Sequence, residues 1–267
     1  MSANPDDVTA EPILLREDSN GITRLTLNRP KQYNALSAAM LAEMQNTLDT
    51  ISADDNVRVV ILGANGKAFC AGHDLKEMRS SDDRAFHQDL FRQCSRMMLT
   101  INQMPQPVIA EVNGIATAAG CQLVANADLA VATHESRFAV SGINLGLFCS
   151  TPSVPLSRNL SRKRAMQMLL TGDFISAAQA LEYGLINEIV DDDVLAQTTQ
   201  SIAEKIAAKS PFAIKLGKEM FYRQLSMDLS EAYAFAGERM ACNMDSDDAR
   251  EGIDAFIEKR KPNWKGQ

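Results

Sequence analysis

The stretch Ile115–Leu123, "IATAAGCQL", decides how this chain folds. It follows the apolar run Val108–Val112 and leads into a segment with the spacing of a short helix. Five small residues in a row (Ala116, Thr117, Ala118, Ala119 and Gly120) stand at the junction, and Gln122 follows two positions later. Small side chains at a strand-to-helix junction let helix and sheet pack closely. They also leave the first N–H groups of the helix open, where unpaired donors and the positive end of the helix dipole favour an oxygen that carries negative charge. A second unit of the same kind is "VVILGANGKAFCAGHDLKEM", Val59–Met78, with a buried-type strand, an Asn-Gly, a run of small residues and a helix start. Two such ends aimed at one point form an oxyanion hole.

Outward from these units, the pattern alternates. Ile13–Leu15 and Ile22–Leu27 read as strands around a turn at Asn20-Gly21. Ser37 caps a helix that runs to about Ile51, with Met40, Leu41, Met44 and Leu48 on one face. A long helix begins near Ser81, carries Phe86, Leu90, Met97, Ile101 and Met104, and is stopped by Pro105 and Pro107. Val57–Leu62, Leu129–Ala132 and Leu185–Val190 read as further strands. Strands alternating with helices predict an α/β body with a largely parallel sheet. Ser161–Leu170, Ala177–Glu182 and Val194–Ala208 read as helices, and beyond Ser210 everything does, from Pro211 at a first helical position through the stripe Leu229, Ala232, Tyr233, Ala236 and Met240. The expected division is a disordered lead-in over residues 1–10, a core over 11–200 and a C-terminal helical oligomerisation subdomain over 201–267.

Bulk properties remove several function classes. The chain has 267 residues, 45% of them hydrophobic, and a formal net charge of -7. A diffuse acidic surface argues against nucleic acid as a partner. The five cysteines, at 70, 94, 121, 149 and 242, form no CxxC, and the three histidines, at 73, 87 and 134, form no HExxH, so no metal site is expected. There is no GxGxxG, no phosphate loop and no GxSxG elbow. No apolar run approaches the ~18 residues of a membrane span. Reduced thiols and a polar, acidic N-terminus predict a cytoplasmic protein.

Four segments carry a resemblance: "LNRPKQYNALS" (Leu27–Ser37), "GKAFCAGHDLKEM" (Gly66–Met78), "VNGIATAAGCQLVANADLAVA" (Val112–Ala132) and "EGIDAFIEKRKPNW" (Glu251–Trp264). With "ALEYGLINEIV" (Ala180–Val190) they span nearly the whole chain in order, and the sequence resembles the enoyl-CoA hydratase/isomerase (crotonase) superfamily. The resemblance implies an α/β fold, a crotonase-like spiral of ββα units with a C-terminal helical trimerisation region, assembled as a homotrimer or a dimer of trimers. It implies an acyl-CoA thioester as partner and no cofactor beyond the coenzyme A of the substrate. The thioester oxygen would be held by the backbone N–H groups of His73 and Ala119. Lys31, Ala35, Ala71, His73, Asp74, Leu75, Lys76, Phe256 and Lys259 match segments that touch CoA. Read as residues, Asp74 opens a helix and suits a cap, Cys70 and Cys121 suit packing thiols, and the His73 side chain suits a structural role.

The sequence also departs from the family, in the manner of the similar enoyl-CoA hydratase domain-containing proteins. Hydratases of this family use two glutamates to hold and activate a water. Gln122 stands at the first position and Gly142 at the second, and a further carboxylate position of dienoyl-CoA isomerases matches Ser150. No carboxylate lies between Glu135 and Asp173 to stand in. An amide cannot take a proton at any useful pH, and glycine offers no group at all. Each positioned acid or base contributes about 10²–10⁴-fold in rate. The expected function is an acyl-CoA-binding crotonase relative with an oxyanion hole and poor hydratase activity. Isomerisation, or decarboxylation of a malonyl-type thioester, stays open beside a non-catalytic acyl-CoA-binding or regulatory role. Gln122→Glu combined with Gly142→Glu is expected to raise hydration if the loops hold the two carboxylates facing one water.

Overall fold

Asn20 and Gly21 both take positive φ, 51° and 77°, and close a tight hairpin between β1 (Leu14–Ser19) and β2 (Ile22–Leu27). The structure is a computed structural model that describes residues 11–267, so the lead-in expected over 1–10 lies outside the described residues. Helix α1 (Ala38–Ser52) starts where Ser37 accepts a hydrogen bond from the Met40 N–H at 3.2 Å, and it buries Met40, Leu41, Met44, Leu48 and Ile51.

Three repeats of strand, short strand and helix follow. The first is β3 (Val59–Ala64), β4 (Ala68–Cys70), then α2 (Leu75–Arg79) and α3 (Arg84–Gln103). The second is β5 (Val108–Val112), β6 (Ile115–Thr117) and α4 (Ala119–Asn126), and the third is β7 (Leu129–Thr133), β8 (Arg137–Ala139) and α5 (Ser150–Asn159). The chain continues through α6 (Arg162–Thr171), β9 (Ile175–Ser176), α7 (Ala177–Tyr183), β10 (Glu188–Val190) and α8 (Leu195–Ala207) to α9 (Pro211–Gln224), α10 (Leu229–Met244) and α11 (Asp247–Ile257). Each repeat gives its first strand to a six-stranded sheet, order β1-β2-β3-β5-β7-β10, and its second to a four-stranded sheet, order β4-β6-β8-β9. All neighbours run parallel except β1 with β2 and β8 with β9. The fold is the expected α/β spiral of ββα units with a run of C-terminal helices.

Both faces of the large sheet are covered, which explains why its strands read as unbroken apolar runs. In β3, Val60 and Leu62 join the main core, while Val59 and Ile61 pack with Ile22, Ile109 and Ala203 of α8 on the other face. Three features differ from the sequence reading. Strands β4, β6 and β8 are three residues each, too short to show a period, and they read as loop. Helix α5 contains Pro152 and Pro155, which argue against a helix locally, yet both prolines and Leu156 are buried and packing decides. Helix α8 runs straight through residue 200, so the boundary expected there falls inside a helix.

One polar cluster ties the C-terminal helices to the core. Lys218 of α9 reaches the carbonyls of Ile101 and Gln106 at 2.9 and 2.8 Å and the Asp128 carboxylate at 2.6 Å. Asp128 also accepts from the Tyr222 hydroxyl and the Val108 N–H, at 2.8 and 2.7 Å. Burial pulls the Lys218 ammonium below its ordinary range, and the Asp128 charge opposes that shift. Removing one partner of such a pair strands the other charge. Lys218→Met is therefore expected to lower the unfolding free energy by about 3–5 kcal/mol, as read by urea denaturation.

Candidate active site

Asn34 sets the first half of the site. It is fully buried in a left-handed conformation, φ 53°, and its amide donates to the Asn65 and Ala68 carbonyls at 2.9 and 2.8 Å while accepting from the Arg29 N–H at 2.8 Å. This pins Tyr33–Leu36 against the stretch after β4. The Ala71 N–H donates to the Tyr33 carbonyl at 3.0 Å, the Leu36 N–H to the Gly72 carbonyl at 2.7 Å, and the Asp74 N–H to the Leu36 carbonyl at 3.2 Å. In this parallel bridge the His73 N–H faces away from Leu36, and it finds no acceptor among the described residues.

Ala118 sets the second half. It ends β6 with φ 50° and ψ -120°, a conformation that costs an alanine about 1–3 kcal/mol. Its N–H donates to the Ala139 carbonyl at 3.0 Å, and α4 begins at the next residue. Ala119 opens that helix, so its N–H has no intrahelical acceptor. Gly120 is obligatory because a Cβ there would stand 2.1 Å from the Cys70 carbonyl oxygen. Gly72, with φ +90°, is equally constrained: a Cβ there would lie 2.8 Å from the Ala118 Cβ and 3.2 Å from the Ala119 nitrogen. The two loops touch at this point, and His73 and Ala119 line one cavity of about 430 Å³.

Ala71, His73, Ala118 and Ala119 form one part of the cavity wall, with Leu75, Met78 and Phe91 beside them and the segment from Ser141 to Pro152 opposite. No carboxylate, lysine or arginine is among the lining residues. The His73 ring stands edge-on to Phe91, with centroids 5.5 Å apart, and neither ring nitrogen has a hydrogen-bond partner among the described residues. Burial holds this imidazole below its usual range, so it is neutral at pH 7. Gln122 lies one turn beyond Ala119, is 4% exposed, has an unpartnered Oε1 and does not line the cavity. Gly142 does line it, from a short 3₁₀ turn over Ser141–Leu145. Ser141 meets the Thr117 hydroxyl at 2.8 Å.

The other residues singled out by sequence are not brought to the cavity. Asp74 caps α2, accepting from the Lys76 and Glu77 N–H groups, and pairs with Arg29 at 3.4 Å. Ala35 is buried, with its carbonyl accepting from Arg29 at 2.8 Å, while Lys31 and Lys76 are exposed and none of the three lines the cavity. Phe256, 85% exposed, and Lys259 lie at the end of α11, which packs on α9 and α10. The Cys70 and Cys121 thiols are pushed up to about 12 by burial, as packing thiols are. The reading missed Phe91 and the Leu145–Phe148 wall. Phe91 left a signal: it is a large apolar residue off the buried stripe Leu90, Cys94, Met97, Met98 and Ile101 of α3.

Stacked ββα units whose strand-to-helix junctions at His73 and Ala119 line one largely apolar cavity are those of a crotonase fold. The chain belongs to the enoyl-CoA hydratase/isomerase family, whose model matches residues 17–267. It is closely related to the rat "Enoyl-CoA hydratase domain-containing protein 3, mitochondrial", with 45% identity over 264 residues, covering 98% of this chain and 88% of the relative. Among solved structures, an enoyl-CoA hydratase of Mycobacterium smegmatis matches with a TM-score of 0.94 and 55% identity, covering 95% of this chain and 99% of the other. Human enoyl-CoA hydratase domain-containing protein 3 matches at 0.92 and 45%, covering 95% and 100%.

These relatives correct one expectation. The cytoplasmic assignment is overturned, because the vertebrate proteins that match at 45–46% identity are mitochondrial. Reduced thiols suit the reducing interior of an organelle as well as the cytosol, so they could not discriminate.

The neutral, half-buried His73, whose two ring nitrogens are shielded from water, gives the site an acid-sensitive element. Its unfolded value is about 6.5 and its folded value lies lower. Between the two, the unfolded chain binds the proton that the native state refuses. The His73 contribution to stability is therefore complete above pH 6.5 and is lost as the pH falls below it. In thermal melts from pH 7.5 downward, His73→Phe should show a shallower loss of Tm on the acid side than the native protein.

Proposed function

We propose that this protein binds acyl-CoA thioesters with the carbonyl oxygen between the N–H groups of His73 and Ala119. The observation that supports this reading is that His73 and Ala119, whose N–H groups have no acceptor among the described residues, both line one cavity with an apolar wall. Fixed donors in a dry site stabilise the negative charge of a thioester enolate at no reorganisation cost, and one such donor is worth about 10²–10³-fold in rate. The family assignment supports the same ligand class. On this reading Ala71 and Leu75 flank the pantetheine arm, and Asp74 holds the helix start in place through its cap. Lys31 and Lys76 are exposed and suited to phosphates, and the segment carrying Lys31 and the buried Ala35 lies beside the nucleotide end. Phe256 and Lys259 act on a neighbouring subunit's ligand.

Hydration is the weak reaction of this site. Gln122 and Gly142 stand at the two glutamate positions, and no lining side chain is a carboxylate that could activate water. Loss of these groups lowers the rate of hydration by at least about 10²-fold. Decarboxylation of a malonyl-type group fits less well than it did by sequence, since its carboxylate would enter a cavity with no cation in the wall. The same absence favours, as the second reading, acyl-CoA binding without turnover.

Self-association completes the proposal. The C-terminal helices expose Phe221, Leu225, Leu229, Tyr233, Met240 and Ile257, with Leu229 at 75% and Tyr233 at 74%. A monomer rarely leaves so much apolar surface in water. The proposed assembly is a homotrimer or a dimer of trimers.

Calorimetric titration with crotonyl-CoA tests the binding site. Saturable binding is expected, and Ala119→Pro, which deletes one donor, should lose most of the affinity while circular dichroism shows the fold intact. Correctly assembled protein that binds neither crotonyl-CoA nor a longer acyl-CoA would refute the reading. Hydration of crotonyl-CoA is expected well below the turnover of about 10 s⁻¹ common among enzymes. Light scattering at micromolar concentration should find trimers or hexamers, and a folded monomer would overturn the assembly.

A further inference from the structure

Gly142 occupies the wall position where a hydratase would present its second glutamate. Its φ is not positive, so no backbone rule forbids a side chain there. Space does. A Cβ built on Gly142 would stand 2.6 Å from the Leu147 carbonyl oxygen and 2.8 Å from the Cys149 Sγ. Real Cβ atoms essentially never approach so closely, and the nearer neighbour is backbone. That backbone is itself tied down, because the Leu147 N–H donates to the Gly142 carbonyl at 2.9 Å and the Gly146 N–H to the Ile143 carbonyl at 3.0 Å. Cys149 has little freedom either: it is 8% exposed and forms the cap position of α5. Leu145, Leu147 and Phe148, which this tight turn presents, all line the cavity.

We propose that Gly142 is a positioning residue whose missing side chain lets Leu147–Cys149 close against the Ser141–Leu145 turn and build one wall of the acyl cavity. The site is thereby committed to working without a carboxylate at position 142, because the volume of that side chain is taken by backbone and a thiol. The identity of the ligand rests on the acyl-CoA reading above, whereas the packing does not. One expectation from sequence is corrected here. Gln122→Glu with Gly142→Glu would push the wall apart before two carboxylates could face a water, so it should not raise hydration.

The test uses full-length protein with the exposed Cys242 changed to serine, and compares position 142 as glycine and as alanine. Three quantities are measured: Tm, the alkylation rate of Cys149 by iodoacetamide from peptide mass spectrometry, and affinity for saturated acyl-CoAs of increasing chain length. Gly142→Ala is expected to lower Tm by about 3–10 °C, as overpacking does, to speed the labelling of Cys149 and to shift the chain-length preference. Unchanged Tm and labelling would overturn the proposal. If Gly142→Ala yields no soluble protein, Gly142→Ala with Cys149→Ala decides: removal of Sγ should restore part of the stability, and a double variant no better than the single one overturns the packing. If the glycine protein binds no acyl-CoA, the functional reading falls, while Tm and labelling still judge the wall.

Discussion

Two backbone N–H groups can share one ligand oxygen only if their loops are held in contact, and the pairing of β4 with β6 provides that hold. The register sets Ala68 beside Ile115 and Cys70 beside Ala116, so the chain leaves both strands at the same edge. From there the loops meet at Gly72 and Ala118. The large sheet, the helices around it and the buried Asn34 all act on this one contact. A site made of rigid backbone is preorganised, which is the property that electrostatic catalysis needs.

The parts of this arrangement differ in how far they could be read in advance. The hairpin at Asn20-Gly21, the cap at Ser37 and the buried runs of β3 and β5 obey local rules, and local rules are written in the residues. The strand–small-residue–helix units were legible for the same reason, and with them the placement of His73 and Ala119 at one cavity. The cavity wall was not. Phe91 arrives from α3, 18 residues beyond His73 in the chain, and Leu145–Phe148 forms an irregular turn whose shape depends on contacts with Gly142 and Cys149. Such contacts have no period. The role of Asn34 was hidden too, since a buried asparagine and an exposed one look alike in sequence.

The charged cluster at Lys218 and Asp128 has a different job from the site. It sits where α9 crosses the end of α3 and the start of β5, and it satisfies the carbonyls of Ile101 and Gln106 there. Buried pairs of this kind add little net stability over apolar packing, but they penalise any other placement of the helix. That fixes the direction in which α9 and α10 present their apolar faces. The orientation of the exposed helical surface is thus set inside the subunit.

The use of main-chain donors has a consequence for how this scaffold tolerates change over evolutionary time. Every amino acid except proline carries an N–H, so the donor pair proposed at 73 and 119 would survive nearly any codon change at those two positions, provided the backbone keeps its course. The vulnerable letters are instead the glycines at 72 and 120, where a single methyl would collide with the opposing loop. Reactive side chains around the cavity are then free to drift. A lineage of this kind can discard its acids and bases and still inherit an electrostatic trap on which other chemistry can be tried.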